Sequence, residues 1–230
     1  MQNSDAATLT GARRSVVSAR RAAECARPPL SKRALDMVLS GIGLVASAPV
    51  WGLIAAAITL EDHGPLFYEQ DRVGLGGEPF RVLKFRSMVT DAESKVGAVQ
   101  SSEHDPRVTR VGRLLRATAL DELPQLWNIF VGDMSFVGPR ALRPIEIEVN
   151  GSGADLSIEE VPGYWERCQV QPGLTGVAQI YASRDVTRRH KFRYDRIYMR
   201  RRGFWLDVRL IVLSFWITFL GAWEVRGDKF

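Results

Sequence analysis

Hydrophobic and polar positions divide the chain into segments of different period. From Met37 to Leu60 the sequence MVLSGIGLVASAPVWGLIAAAITL carries no charge. Such a run clears the ~20 residues that a helix needs to cross a bilayer core. Lys32 and Arg33 stand just before it, and Glu61 and Asp62 just after. The positive-inside rule therefore puts its N-terminal flank on the cytoplasmic side. Pro49 falls near the middle, where it removes one backbone hydrogen bond and bends the helix. Two arrangements follow. The helix crosses and leaves the rest of the chain outside, or it bends at Ala48-Pro49 and returns to the side it came from. The remainder of the chain is strongly basic and has no second span of full length, which weighs toward the bent form without deciding the matter.

Beyond Gly64 the period shortens. Residues 66–88 alternate, with Phe67, Val73, Phe80, Val82 and Phe85 flanking Gly74, Gly76 and Gly77. This predicts a β-hairpin with a Gly-rich turn. The glycines lack the spacing and the Lys-Ser/Thr of a phosphate-binding P-loop. Residues 107–118 take a helical period with Val108, Val111, Leu114 and Leu115 inward. The next helix is predicted to start with Asp121 as N-cap, which puts Pro124 in the first turn, where proline is tolerated. It buries Leu123, Leu126, Ile129 and Phe130 and stops before Gly132. Residues 146–155 read as a helix end and a loop around Asn150-Gly151, and residues 170–179 as an ordered loop.

Residues 184–202 are dominated by Arg and Lys, with Phe192, Tyr194, Ile197 and Tyr198 interleaved. A helix of that kind suits a membrane surface or RNA. The apolar run from Ile211 to Trp223 is short for a span and reads as an interfacial or core helix. Trp205, Trp216 and Trp223 fit an interface belt. Residues 1–31 are rich in Ala, Ser and Arg with few acids, and read as a disordered basic tail rather than a transit peptide.

Composition narrows the partner. With 46% hydrophobic and 25% charged residues the chain is an ordinary folded protein. Its net charge of +5 and pI of about 9.5 favour an anionic partner: lipid head groups, nucleotide phosphates or nucleic acid. Cys25 and Cys168 are the only cysteines, so there is no disulfide framework and a reducing compartment fits. His63, His104 and His190 lie far apart and show no metal-ligand spacing.

The densest chemistry is the block Ala119 to Asn128, followed by Gly132 to Arg140. Asp121 and Glu122 are adjacent carboxylates at a predicted helix start, where they meet the positive end of the helix dipole. Arg107, Arg110, Arg113 and Arg116 recur upstream at three-residue spacing, and a Gly-Pro-Arg turn follows downstream. Carboxylates, arginines and helix N-termini together suit a metal-bound phosphate. Taken alone, the local pattern favours reading the same acids as caps and dipole partners and the arginines as a solvated face.

Several blocks in order carry a resemblance. They are Lys32-Arg33-Ala34-Leu35-Asp36, Gly64-Pro65, Gln70-Asp71-Arg72-Val73-Gly74, Lys84-Phe85-Arg86-Ser87-Met88, Leu120 to Leu126, Gly132 to Arg140, Pro172 to Gly176, and Asp195 to Tyr198. From about Lys32 to Leu220 the chain resembles the bacterial sugar transferases, the monotopic polyprenyl-phosphate phosphoglycosyl transferases. Four positions depart from the usual pattern. Ala48 and Ala141 stand where Ser and Pro are common, and Gln171 and Val177 where Arg and Trp are frequent.

The resemblance implies a mostly helical α+β fold. A proline-broken re-entrant membrane helix, kinked at Ala48-Pro49, precedes a small β-hairpin, a helical catalytic core and amphipathic interfacial C-terminal helices. The expected division is a tail over 1–31, the membrane helix over 32–61 and a cytoplasmic, membrane-associated catalytic domain over 62–230. The implied reaction moves sugar-1-phosphate from a UDP-sugar to polyprenyl (undecaprenyl) phosphate through a phosphosugar-aspartate, releasing UMP. It would be the first membrane step of exopolysaccharide or glycoconjugate synthesis. By carry-over Asp121 is the nucleophile, and Glu122, with Asp121, holds Mg²⁺ or Mn²⁺. Lys84, Arg116 and Arg140 bind phosphate, and Asp195 and Tyr198 belong to the nucleotide-sugar site. The free N–H groups of the Asp121 helix start would cradle the phosphoryl oxygens. The implied setting is the cytoplasmic face of the bacterial inner membrane, with anionic lipids as partners, no nucleic acid, and room for a homodimer. Two other classes compete: a membrane-anchored scaffold that works through its basic aromatic region, and a single-pass protein with a basic nucleic-acid-binding domain. UMP release from a UDP-sugar separates them.

Overall fold

The computed structural model describes residues 27–90, 92, 105–144, 147–149, 155–183 and 186–219. Most of the expected basic tail, His104 and Trp223 lie outside the described residues. A single long helix, α1 (Leu30–Asp62), holds the charge-free run. It begins two residues before the expected boundary, directly after Pro29. It is the one helix among the described residues long and apolar enough to cross a membrane. Val38, Ile42, Val45, Leu53 and Leu60 face outward, a surface suited to lipid rather than water. Pro49 lies inside α1, so the Val45 carbonyl loses its ordinary N–H partner. Nearby, Ser47 Oγ accepts from Trp51 Nε1 at 3.0 Å and donates to Leu44 O at 3.4 Å.

The predicted hairpin forms. Strands β1 (Phe67–Val73) and β2 (Pro79–Phe85) pair antiparallel, from Phe67 opposite Phe85 to Val73 opposite Pro79. Gly76 and Gly77 take positive φ in the turn, which glycine adopts without steric penalty. Helices α2 (Arg110–Ala117) and α3 (Gln125–Val131) follow. Between them Leu120–Glu122 form a 3₁₀ turn, entered through Ala119 at φ 56°. This corrects the helix start. Asp121 is not an N-cap but lies within the 3₁₀ turn, and Pro124 is the residue that precedes α3. The amides of Glu122 and Leu123 bond back to Ala119 O and Leu120 O at 3.2 Å each. They are spent within the turn rather than free to cradle phosphate. Leu114 is a second correction: it is 64% exposed, while Leu115 takes the inward position.

Two expected loops contain regular structure. β4 (Ile147–Val149) and β5 (Asp155–Ser157) pair antiparallel. The β-branched Ile147 and Val149 favour extended backbone over a helix end. Within 170–179, β6 (Gly173–Thr175) pairs parallel with β3 (Ser135–Val137) and leads into α5 (Val177–Tyr181). The pairing partner lies far off in sequence, so the turn signals alone did not reveal it. Between β5 and β6 lies the short α4 (Tyr164–Arg167).

The C-terminal part is α6 (Arg188–Arg201) and α7 (Phe204–Phe219). Phe192 and Tyr198 are buried in separate cores rather than interleaved on a cationic face. On α7, Leu210, Ile211 and Ile217 point inward, and Trp205, Val212, Phe215 and Trp216 outward. The main core gathers Val82, Ile129, Met134, Phe136, Ile180 and Leu210. A smaller core joins α1 to the hairpin and α2 through Ile54, Ile58, Phe85 and Leu115. Gly43 of α1 lies against Leu126, and Gly41 against Phe130. α1 thus runs antiparallel to the α2–turn–α3 unit along much of its length.

Candidate active site

The site is built where the hairpin meets the 3₁₀ turn. β2 is held by a buried amide: Asn128 on α3 accepts from Leu83 N at 3.0 Å and donates to Arg81 O at 2.7 Å. This satisfies an open strand edge from a helix side chain. It also sets Lys84 beside the turn that precedes α3. Lys84 Nζ then lies 2.7 Å from Glu122 Oε1 and 3.8 Å from Asp121 Oδ2. Arg140 Nη2 approaches Glu122 Oε1 at 3.7 Å from the other side.

The cleft beside Lys84 and Glu122 is lined by Arg72, Lys84, Glu122, Gln125, Arg140 and Leu174, among others; Asp121 and Arg116 stand outside that lining. Arg72 and Gln125 also line this cleft, although neither is among the residues expected there. Arg72 lies in the Gln70–Gly74 block. Strand alternation puts it on one face with Val82 and Lys84, since Tyr68 opposes Lys84 and Gln70 opposes Val82. That pairing was the available signal.

The two carboxylates titrate differently. Burial pushes the Asp121 carboxyl above its usual range; Glu122 adds to this, and Lys84 and Arg116 oppose it. Burial also acts against the charge on Glu122, but Lys84 and Arg140 outweigh it and hold that carboxyl at about 2. Glu122 is therefore a fixed anion, and Asp121 a desolvated, more basic one. Arg116, on α2, donates from Nε to Ser87 Oγ at 2.8 Å and sits within electrostatic reach of Asp121. The remaining arginines of the three-residue series do not join it. Arg110 and Arg113 are exposed, and Arg107 pairs with Asp105.

The Gly138-Pro139-Arg140 segment is fixed by close backbone approach. Gly138 N donates to Thr175 O and Gly173 N to Pro139 O, both at 2.9 Å. A Cβ on Gly173 would stand 2.0 Å from Gly138 N, so no larger residue fits. Arg167 supports the same loop from beneath. Its Nη2 donates to Arg140 O at 2.5 Å and its Nε to Asp195 Oδ2 at 3.0 Å.

Asp195 and Tyr198 are thereby placed outside the cleft lining. Asp195 is a buried partner of Arg167. The Tyr198 hydroxyl accepts from Lys32 Nζ at 3.2 Å and lies 3.0 Å from Asp207 Oδ1 and 3.1 Å from Val137 O. Burial, then the charge of Asp207, raise its pKa and keep it a neutral donor. Asp195 pairs with Arg167, which itself donates to Arg140 O, and Tyr198 links α1 to α6 and α7 through Lys32 and Asp207. Gln171, at a position where the resemblance leads one to look for Arg, donates to Gly132 O.

Among the described residues no three His, Cys, Asp or Glu side chains gather. The available donors are the carboxylates of Asp121 and Glu122. One or two carboxylates completed by substrate phosphates is the way a hard, octahedral cation is ordinarily held. The residues present fit Mg²⁺ or Mn²⁺ on those terms.

A family model described as bacterial sugar transferase matches residues 28–221. The chain is 44% identical over 190 residues to the undecaprenyl-phosphate glucose phosphotransferase of Komagataeibacter xylinus, covering 80% of this chain and 35% of the relative. It is 37% identical over 198 residues to the UDP-N-acetylgalactosamine-undecaprenyl-phosphate N-acetylgalactosaminephosphotransferase of Aeromonas hydrophila, covering 85% and 45%. The exopolysaccharide production protein PSS of Rhizobium leguminosarum bv. phaseoli is 38% identical over 185 residues, covering 78% of this chain and 90% of the relative. The chain spans less than half the length of the first two.

Proposed function

The chain belongs to the bacterial sugar transferase family, and from that premise we propose that it transfers sugar-1-phosphate from a UDP-sugar to polyprenyl phosphate in two displacements. The observation that carries this reading is the meeting of Glu122, Lys84 and Arg140 at one cleft, with the Asp121 carboxylate 3.8 Å from Lys84 Nζ. Donor and acceptor are both phosphate anions and repel each other. Splitting the transfer lets a carboxylate attack first.

In the first displacement Asp121 attacks the phosphorus bonded to the sugar. The Oδ–P bond forms as the P–O bond to the departing UMP breaks, and UMP keeps the electron pair. In the second, an oxygen of polyprenyl phosphate attacks the same phosphorus. The Oδ–P bond breaks, the carboxylate is restored, and polyprenyl-diphosphate-sugar leaves. The raised basicity of Asp121 suits a nucleophile. Lys84 and Arg140 offset charge on the phosphoryl oxygens, with Arg116 behind Asp121. Glu122, with Asp121 beside it, would hold Mg²⁺ or Mn²⁺, which neutralises diphosphate charge when bound.

The same reading puts the cleft on the cytoplasmic face of the bacterial inner membrane, where UDP-sugars are, with α1 as a re-entrant helix. What supports a same-side arrangement is that both ends of α1 dock on the folded domain. Lys32 pairs with Asp207 at 2.8 Å, and Asp62 pairs with Arg86. The outward aromatic face of α7 and the basic surface of α6 suit contact with anionic lipid head groups. The relatives' names include glucose and N-acetylgalactosamine, so the test is a panel of UDP-sugars with undecaprenyl phosphate and Mg²⁺. UMP release and a lipid-linked product with one sugar are expected. Absence of UMP with every sugar overturns the reading.

A further inference from the structure

Two charged side chains at opposite ends of α1 take no part in the chemistry above, yet both reach the unit that carries it. Glu61 lies in the last turn of α1. Its Oε1 accepts from Arg110 N at 2.7 Å and its Oε2 from Val111 N at 3.1 Å. Thr109 Oγ1 accepts from Gly112 N at 2.9 Å. The opening amides of α2, which have no partner within the helix, are thus satisfied, two of them by α1.

Arg33 lies in the first turn of α1. Its Nη1 donates to Ile129 O and its Nη2 to Phe130 O, each at 2.7 Å. These are closing carbonyls of α3, and Gly132 N covers the next one at Asn128. An acid caps the N-terminus of α2 and an arginine fork caps the C-terminus of α3. Both signs match the helix dipoles. Asp121 and Glu122 lie between these two capped ends, in a turn entered through a non-glycine residue at positive φ, Ala119. Such a backbone persists only where its surroundings hold it.

We propose that Arg33 and Glu61 are positioning residues for the transfer reaction. α1 braces the α2–turn–α3 unit by capping its two outer ends, so the membrane helix fixes where the two carboxylates stand. The inference rests on reading Asp121 and Glu122 as the reacting pair. An anchoring role for Arg33 needs only its positive charge. The brace needs the planar fork, which lysine lacks.

The test uses the full chain in phospholipid nanodiscs, as parent, Arg33→Lys, Glu61→Ala and the double variant. Backbone hydrogen exchange is followed over 110–134, and UMP release gives kcat and KM. Glu61→Ala is expected to raise exchange at 110–112 by about tenfold, the loss that one helix cap carries. Arg33→Lys is expected to raise it over the end of α3. Both are expected to raise exchange at 119–124 and to lower kcat about tenfold, with KM for the UDP-sugar held within about twofold. Parental exchange and kcat in Arg33→Lys overturn the proposal, as does raised exchange with unchanged kcat. If the parent releases no UMP, the reading of Asp121 fails, and exchange at 119–124 alone then decides whether the brace exists.

Discussion

Lys84 donates to Glu122 across 2.7 Å, from a β-strand to a turn 38 positions later in the chain. The ion pair is mostly shielded, with side-chain exposures of 18% and 24%. It gives the cleft one permanent anion beside a more basic one. Lys84→Met leaves Glu122 in its desolvated place with Arg140 at 3.7 Å. UMP release is expected to fall by about a hundredfold or more. Steady-state kinetics with saturating UDP-sugar check this, and turnover near the parent's counts against the assignment.

The same pair predicts a stability slope. Glu122 titrates at about 2 in the folded protein against an ordinary 4.5. Its contribution is therefore fully present above pH 4.5 and lost as pH falls toward 2, amounting to up to about 3 kcal/mol. Asp121, shifted upward, contributes with the opposite sign. Thermal unfolding in EDTA from pH 6 to pH 3.5 should show Lys84→Met with a shallower loss than the parent. Parallel curves would contradict the pairing.

Asp121→Asn keeps the side chain's size and removes the nucleophile. Intact-mass analysis with UDP-sugar and no lipid acceptor is expected to show a phosphosugar adduct on the parent alone. Activity near the parent's in Asp121→Asn would end the covalent reading.

Chelation with EDTA is expected to abolish UMP release, and added Mg²⁺ or Mn²⁺ to restore it, with the circular dichroism unchanged throughout. Glu122→Gln should lose activity and gain little from excess metal, since a neutral amide is a poor partner for a hard cation. Full turnover in EDTA would exclude the metal.

Arg167 supports the Arg140 backbone and pairs with the buried Asp195. Arg167→Met leaves an uncompensated buried carboxylate and is expected to cost about 3–5 kcal/mol. Asp195→Asn instead leaves the buried guanidinium without its counter-charge, and a lower Tm together with a higher KM for UDP-sugar is the expected result. A parental Tm in Arg167→Met would show that the pair carries no such weight.

For topology, Cys25 and Cys168 are replaced by serine and a single cysteine is placed at Asp71, whose side chain is 69% exposed. An impermeant maleimide added to intact cells should leave it unlabelled. Adding Pro49→Leu is expected to straighten α1 and expose a fraction of molecules. Labelling of the parent from outside would overturn the cytoplasmic assignment.

Patterns of short range were legible in the chain. The charge-free run gives α1, alternation around glycines gives the hairpin, and Gly132 ends α3 because positive φ suits glycine. The motif blocks named the family and brought Asp121, Glu122, Lys84, Arg116 and Arg140 to attention as separate residues. Features that depend on partners distant in sequence were not legible there. The parallel β3–β6 pairing, the inward turn of Phe192 and Tyr198, and the placement of Asp195 beneath Arg140 rather than in the cleft carry no local signature. Asp121 reads as a helix cap until Ala119 is seen in the left-handed region, which turns the following residues into a 3₁₀ turn. A local pattern reports the preference of a few neighbouring residues. Which charged group meets which is settled by burial, because a desolvated charge must find its partner wherever in the chain that partner lies.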